Sequence, residues 1–537
     1  MNRDDAVIGI DLGTRNALCA VLDERKRPVI IPNRRGKTST PSVVGWDNGW
    51  VVGDDAVRLS LKGSASVWWD IKRKVGGDFR ASCGGKSYSP EDILVPLLRS
   101  QREDAEVFLG QIVRSCVLAV PACFSLSQRE ALRRAAAAAG LAESRIVNEP
   151  TAAALAFGME GRFLILDFGA GTVDVSVVES ENNVWQVLES VGSPGLGGYD
   201  FDLALAEWLR ERLRIEPLAT EDPRRQSLIM EAENIKIALS SCESFRWTPP
   251  AWDGNSGGRD NSITVERTDI ERLTRFSIRR MTHSVRRMWE RYKPEHLLLV
   301  GGSSRIPLLH EILEKEITKP ERLCLCAEES VAAGAALCSM IGEERLLLDV
   351  LSGDIGVTLE PDNSSEPKIL AYAGSPLPIS TRVSFGNRSA KKDKPTKIVV
   401  FQNMGDMNED DAPARRTVLS ELNIEPETDS DVTLYCELSP SGELVLRAKL
   451  GAIFADMPLF SGTDLNSKGK RTDGLKLRLA SLEMSMSEAQ KDKLCAVTRL
   501  IEKLDAFENG EAGKGIMGRE IMEGLVKDLE AALLFQK

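Results

Sequence analysis

The chain is predicted to be an α/β protein, with two similar lobes followed by a β-rich domain and a short helical tail. Three observations predict this. Strand-like and helix-like segments alternate from residue 1 to about 345, the signature of an α/β domain. Three glycine-marked junctions stand in one order, each at the end of an apolar run of strand length: Ile10-Asp11-Leu12-Gly13-Thr14, Leu166-Asp167-Phe168-Gly169-Ala170-Gly171-Thr172, and Leu299-Val300-Gly301-Gly302-Ser303-Ser304-Arg305. The first two repeat one motif, which suggests duplicated lobes. From Ile355 to about Ala455 the texture changes to short β-prone runs.

The elements follow in chain order. Ala6 to Ile10 and Val117 to Val120 read as buried strands, the second ending at Pro121. A helix is expected from Ser127 to Ala139, opening on Ser127-Gln128-Arg129-Glu130 and stopping at Gly140. After Pro150, Thr151 to Phe157 forms a helix whose small residues permit close packing. Phe163 to Leu166 and Leu297 to Val300 are strands, and Leu228 to Ser241 is a helix. Pro249 to Asn261 is a proline- and glycine-rich surface loop. Ile312 to Pro320 leads to a second small-residue helix, Ser330 to Ala336. In the β-rich part, Ile398 to Phe401, Val432 to Tyr435 and Leu444 to Leu446 are strands, with a turn at Pro440-Ser441-Gly442 and a polar loop from Asp406 to Arg416. The tail holds two amphipathic helices. One has a capping box at Ser487 and Gln490 and an apolar face of Leu494, Val497, Ile501 and Leu504; the other carries Ile521, Leu525, Leu529 and Leu533. The expected division is 1–344, a linker at 345–354, a β-sandwich at 355–455, a polar linker at 456–480 and a helical tail at 481–537.

The junctions carry the chemistry. An aspartate ends each of the first two strands, glycine lets backbone amides approach a ligand, and threonine adds a hydroxyl. A metal-bound polyphosphate needs these parts: N–H groups around its oxygens and a carboxylate for Mg²⁺ or its waters. A single such turn is an ordinary feature of hairpins; three in order, two of them duplicates, point to a nucleotide clamped between lobes. The net charge of −11 argues against a general nucleic-acid partner. Ten cysteines without a C-x-x-C pair and three histidines argue against structural zinc, and fit a reducing compartment. The N-terminus shows no signal-peptide core and no apolar run approaches a membrane span, so a cytoplasmic location without a membrane partner is expected.

These motifs, together with Ile71-Lys72-Arg73, Val120-Pro121-Ala122, Asn148-Glu149-Pro150-Thr151, Gly197-Gly198-Tyr199-Asp200-Phe201-Asp202 and the apolar Leu346 to Val350, resemble the seventy-kilodalton heat-shock chaperone (DnaK-like) family. The likeness is that of a bacterial-type member with a shortened C-terminal lid. It implies an actin-like two-lobed ATPase domain joined through a linker to a β-sandwich that binds extended apolar peptides, with ATP and Mg²⁺ as cofactors. By the resemblance, Asp11 and Asp167 lie near Mg²⁺, through water. Lys72, Glu149, Asp174 and Thr172 are the catalytic set, with Lys72 positioning the attacking water. Gly13, Thr14, Arg15, Gly169, Gly171, Gly197 and Gly198 surround the phosphates. Glu233, Lys236 and Ser240 share a helix face around the adenosine, with Gly301, Gly302, Arg305 and Glu328 closing the base site. Pro121, Arg129 and Asp349 would couple the nucleotide to the linker, and Arg145 and Asn148 would meet a J-domain co-chaperone. A nucleotide-exchange factor is a further implied partner. Val383, Phe385, Ile398 and Val400 are candidates for the peptide groove, and equally for ordinary sandwich core.

Four features depart from the family pattern. Arg15 stands where a second threonine is usual, Ala170 replaces a glycine, and Tyr199 stands where the family carries glutamate. If position 170 needs a positive φ, the loop must be strained or reshaped. The fourth is the tail, about 55 residues in place of a long helical lid, which suggests faster peptide exchange and a specialised client range. Two rival readings stand beside the chaperone: a non-hydrolysing nucleotide-gated regulator or exchange-factor-like relative, and a small-molecule kinase of the same superfamily.

Overall fold

The computed structural model describes residues 6–457, apart from 65, 183, 220–221, 250–261, 321–326, 341–345, 361–366, 386–395, 405–414, 425–431, 440–441 and 451–452. The expected loop at Pro249 to Asn261 falls almost wholly outside these residues, as do the tail helices and all of the polar linker beyond Met457.

Each lobe is built on one sheet, and the sequence repeat is a structural repeat. In the first lobe the strand order is Glu143–Asn148, Ser115–Val120, Val7–Leu12, Asn16–Leu22 and Pro28–Ile30, with Thr40–Pro41 also pairing on Asn16–Leu22. In the second the order is His296–Val300, Gly161–Phe168, Val173–Glu181, Val184–Ser193 and Leu346–Leu348. The motif strand of each lobe, Val7–Leu12 or Gly161–Phe168, pairs antiparallel with its successor and parallel with a crossover strand. Such central strands are covered on both faces, which is why they read as continuous apolar runs: Ile8, Ile10, Leu164 and Ile165 are all fully buried. The first two glycine junctions are therefore hairpin tips. The third is different in kind, a strand end followed by a 3-10 turn, Gly302–Arg305, and the helix Pro307–Glu316.

Between the two sheets lie the helices Glu149–Phe157 and Ser330–Leu337. Their alanines are explained by how close they come. A Cβ on Gly334 would sit 1.7 Å from the Ala152 carbonyl oxygen, and one on Gly9 would sit 2.2 Å from the Ala336 nitrogen. Ala119 and Val147 of the first lobe share one apolar cluster with Ala152, Ala153, Phe163, Ile165 and Leu298, so the lobes are joined through a common core.

One helix start is corrected. The helix after Pro121 runs from Leu126 to Ala138 and is capped by Ser125, not Ser127: Gln128 N donates to Ser125 Oγ at 3.3 Å, and Ser125 N donates to Gln128 Oε1 at 3.0 Å. Ser125-Leu126-Ser127-Gln128 is the true S-x-x-Q box, so two backbone donors are satisfied reciprocally. Ser127 lies inside the first turn, its hydroxyl 2.9 Å from that of Ser125.

The β-rich region is two four-stranded antiparallel sheets, one ordered Lys368–Ala371, Asp354–Glu360, Thr396–Met404, Arg415–Ile424, the other Ile379–Phe385, Val432–Leu438, Leu444–Leu450, Ile453–Met457. Ile355, Val400, Leu434 and Leu446 fill the space between them. The polar run expected as a loop to Arg416 gives way to a strand at Arg415, paired with Met404. Leu126 belongs to this same apolar cluster, its N–H donating to Gln402 Oε1 at 2.9 Å, and Arg133 donates to Glu443 at 2.7 Å. The β-rich region is thus seated on the start of a first-lobe helix. The apolar stretch Leu346–Leu348 is a strand, paired in parallel with Val184 to Gln186 of the second lobe.

The helix crossing generates a test of packing. Gly334→Ala is expected to destabilise the chain by about 3 kcal/mol, since the added methyl meets backbone that cannot rotate away. Gly49→Ala, with nothing within 4 Å of its added atom, should change stability by less than about 0.5 kcal/mol. Urea unfolding of both variants checks the difference.

Candidate functional site

The two hairpin tips meet. A Cβ on Gly171 would lie 2.2 Å from Thr14 Oγ1, one on Gly197 would lie 2.2 Å from the Ala170 oxygen, and one on Gly198 would lie 2.1 Å from Ser303 Oγ. Glycine is required here by close approach. The second tip is then tied to the helix Gly198–Arg212: Gly198 N donates to Gly169 O at 3.0 Å and Tyr199 N to Ala170 O at 2.8 Å. Ala170 is not among the residues with positive φ, so its replacement of glycine costs the loop no backbone strain. At the third junction Gly301 does adopt a positive φ of 81°, and any side chain there would strike Phe168 O.

Beside the tips is a cavity of about 180 Å³ lined by Thr14, Lys72, Thr172, Arg73, Phe124 and Gln128, among others. Lys72, in the short 3-10 segment Ile71–Lys74, donates to Glu149 Oε1 at 2.6 Å. Glu149 opens its helix immediately before Pro150, a residue suited to the first helical turn. Asp174 is fully buried and accepts a hydrogen bond from Cys123 N at 2.9 Å. Asp167 lies opposite Asp174 across the second hairpin, and Asp11 ends the corresponding strand of the first lobe.

The electrostatics follow from crowding. Burial, reinforced by Glu149, pushes Asp11 up to about 7 and Asp174 up to about 7. Burial also holds Asp167 well above the carboxylate range, with Glu149, Asp174 and Asp11 adding to it. For Lys72 burial works against the charged form, yet Glu149 and Asp11 outweigh it and raise its affinity for the proton. Four carboxylates thus share one ammonium, an arrangement that a divalent cation would relieve. Among the described residues no three His, Cys, Asp or Glu side chains converge to hold a metal by themselves. Carboxylates are hard oxygen donors of the kind that suit Mg²⁺.

The residues expected around an adenosine are brought to one side of the cleft. Lys236 donates to Gly198 O at 2.9 Å and pairs with Asp202 at 2.5 Å, and Ser240, the helix C-cap, donates to Lys236 O at 3.2 Å. Glu233 lies 3.5 Å from Arg15 Nε. Arg305 pairs with Glu328 at 2.6 Å on the exposed rim, below Gly302.

A buried chain of hydrogen bonds leads away from Asp174. Arg129 donates to the carbonyls of Phe124 and Ala122, on either side of Cys123 and just after Pro121, and to Asn148 Oδ1. Asn148 Nδ2 then donates to both oxygens of Asp349, at 2.8 and 2.7 Å. Burial raises the Asp349 pKa while Arg129 opposes it. Asn148, expected at a partner surface, is instead 3% exposed and committed to this chain. Arg145 is exposed and lines a cavity of about 140 Å³ with Arg129, Arg133 and Glu443. Of the four peptide-groove candidates, Ile398 and Val400 are fully buried, Phe385 is buried and Val383 is half-buried, all packed in the sandwich core. They offer no open groove.

Sequence reasoning did not single out Cys123, Asp70, Trp69 or Asp202 as site residues. Cys123 takes part through its backbone N–H, which no side-chain pattern signals. Asp70 and Trp69 directly precede the Ile71-Lys72-Arg73 motif, a proximity that could have drawn attention to them.

Residues 7–411 match the family described as Hsp70 protein. Among curated proteins, the chain is 36% identical over 371 residues to the chaperone protein DnaK of Mycoplasma mobile, and 35% identical over 373 residues to that of Mycoplasmopsis pulmonis. Each alignment covers 66% of this chain and 62% of the relative.

The crowded carboxylates make stability depend on pH in a definite direction. Between the ordinary value of 3.8 and about 7, the folded chain keeps protons on Asp11 and Asp174 that the unfolded chain has released. Stability from these groups is therefore greatest at the acid end and falls as pH rises through that window. In metal- and nucleotide-free protein the expected urea midpoint declines over this range, and Asp174→Asn removes part of the decline. An identical slope in wild type and variant would contradict the assignment.

Proposed function

The chain belongs to the Hsp70 family, and on that premise we propose that it is an ATP-dependent molecular chaperone whose hold on extended apolar peptides is controlled by ATP binding and hydrolysis. The observation that carries this reading is the Lys72–Glu149 pair, buried beside the two hairpin tips and surrounded by Asp11, Asp167 and Asp174. Phosphoryl transfer to water demands positioning and charge neutralisation more than covalent chemistry. Bound Mg²⁺ would supply neutralisation of the phosphate charge, with Asp11 and Asp167 accepting hydrogen bonds from its waters. Lys72, oriented by Glu149, would hold the attacking water in line with the γ-phosphorus. Asp174, fixed by the Cys123 N–H, and Glu149 would accept hydrogen bonds from that water as its oxygen bonds to phosphorus and the bond to ADP breaks. Thr14, Thr172 and the neighbouring glycines Gly13, Gly169, Gly171, Gly197 and Gly198 would enclose the phosphates; Glu233, Lys236, Ser240, Gly301, Gly302, Arg305 and Glu328 would receive the adenosine.

Coupling would run through Arg129, Asn148 and Asp349, because the carbonyls bracketing the Asp174 contact and the linker carboxylate share one hydrogen-bonded chain. Nucleotide and peptide would then weaken each other's binding reciprocally. The β-rich domain would bind client segments by main-chain hydrogen bonds and apolar pockets. Exposed Arg145 is where a J-domain partner would engage; an exchange factor and a cytoplasmic location belong to the same reading. No helix among the described residues is long and apolar enough to cross a membrane. A second reading, nucleotide gating without hydrolysis, draws on Arg15 occupying the cleft with its side chain 8% exposed.

Single-turnover ATP hydrolysis, with and without an unfolded apolar peptide, separates the two. The expected result is slow hydrolysis, accelerated several-fold by peptide, and slowed about 100-fold or more by Lys72→Ala. Tight ATP binding without turnover in either protein would favour the gating reading. Asp349→Ala should keep nucleotide binding but lose most of the peptide acceleration, measured in the same assay, because Asn148 and Arg129 lose the carboxylate that joins them to the linker.

A further inference from the structure

Arg15 and Tyr199 are departures from the family pattern at separate points of the chain, and the fold brings them together across the cleft. Arg15 sits at the tip of the first-lobe hairpin; Tyr199 opens a second-lobe helix. The Arg15 guanidinium lies between the rings of Trp69, 5.6 Å away in its own lobe, and Tyr199, 4.8 Å away in the other. It faces carboxylates from both sides: Asp70 at 3.5 Å in the first lobe, and Glu233 at 3.5 Å and Asp202 at 4.0 Å in the second. The Tyr199 ring receives a second first-lobe guanidinium, that of Arg73 at 5.4 Å, which is itself paired with Asp200 of the second lobe at 3.1 Å. One lobe thus supplies two guanidinia, and the other supplies the ring they flank together with carboxylates.

The two residues also make sense of each other. A glutamate at position 199 would add one more carboxylate beside Asp70, Asp202 and Glu233, and a threonine at position 15 could not reach any of them. Arginine and tyrosine together replace repulsion with attraction between a cation and a ring quadrupole in a site shielded from water, where such attraction is strongest. None of the three guanidinium nitrogens makes a hydrogen bond, and neither do Asp70 Oδ1 and Asp202 Oδ2. Buried polar groups at such separations gain when they approach, so the contacts of Arg15 with Asp202 and Glu233 favour keeping the lobes together.

We propose that Arg15 and Tyr199 form a latch across the cleft, one that holds the two lobes together and prolongs the residence of bound nucleotide. The residence effect rests on the nucleotide reading above; the latch between lobes does not. Two measurements keep these apart: amide hydrogen exchange over residues 54–74 and 197–212 in nucleotide-free protein, and stopped-flow dissociation of fluorescent ADP. Tyr199→Leu leaves every charge in place, and Arg15→Lys keeps the cation without the planar face, so both avoid stranding the carboxylates. The expected result is faster exchange in both segments and ADP release accelerated about tenfold or more in each variant. Folded variants with exchange unchanged and release within about twofold of wild type would overturn the latch. Faster exchange in a chain that binds no ADP would uphold the latch and overturn the nucleotide reading.

Discussion

Four carboxylates converge on a single buried ammonium, and most of what surrounds them answers to that constraint. Glu149 takes Lys72 directly, while Asp11, Asp167 and Asp174 are left with more negative charge than the interior can hold, so burial raises their proton affinity. Charges are rarely buried in this number without a ligand to neutralise them, because desolvation costs more than a lone pairing returns. The neighbouring backbone is correspondingly close-packed: the hairpin tips touch at Gly171 and Thr14, and Gly197 lies against Ala170. A cation would relieve this crowding, and the fold keeps the cluster enclosed.

The same constraint gives the site a route outward. Asp174 is held by the N–H of Cys123, and the carbonyls on either side of Cys123 are held by Arg129. Arg129 reaches Asn148, whose neighbour in the chain is Glu149, and Asn148 grips Asp349 beside the strand Leu346–Leu348. Asp174, Arg129, Asn148 and Asp349 are all buried, so little of a shift among them is absorbed by solvent. Meanwhile Leu126, at the start of the Arg129 helix, lies in the apolar cluster of the β-rich region. The carboxylate cluster and the β-rich region therefore both touch one short segment, Pro121 to Arg129.

Much of this is legible in the sequence itself. The motif strands were apolar through their length because both their faces are covered, and the alanine-rich helices announced close crossing. What escaped was whatever depended on a partner elsewhere in the chain. Arg415–Ile424 does not read as a strand because its polar residues interrupt the pattern; it is an edge strand on which Arg416 is exposed. The resemblance alone places Asn148 at a partner surface, and no local pattern signals its bond to an aspartate 201 positions away. Ala170 would be strained only at a positive φ, and its backbone lies outside the left-handed region.

By itself, the order of residues determined the α/β alternation, the duplicated hairpin motif, the β-rich region and the residue types able to meet a metal-bound polyphosphate. These are local properties, set by periodicity, turn chemistry and the steric demands of glycine. Only the tertiary structure decided which charges are paired and which are crowded, that Ile398 and Val400 are sandwiched in the core, and that Arg15 and Tyr199 face one another. Distance and burial decide those outcomes: electrostatic energy depends on separation and on exclusion of water, and neither is written along a chain until it folds.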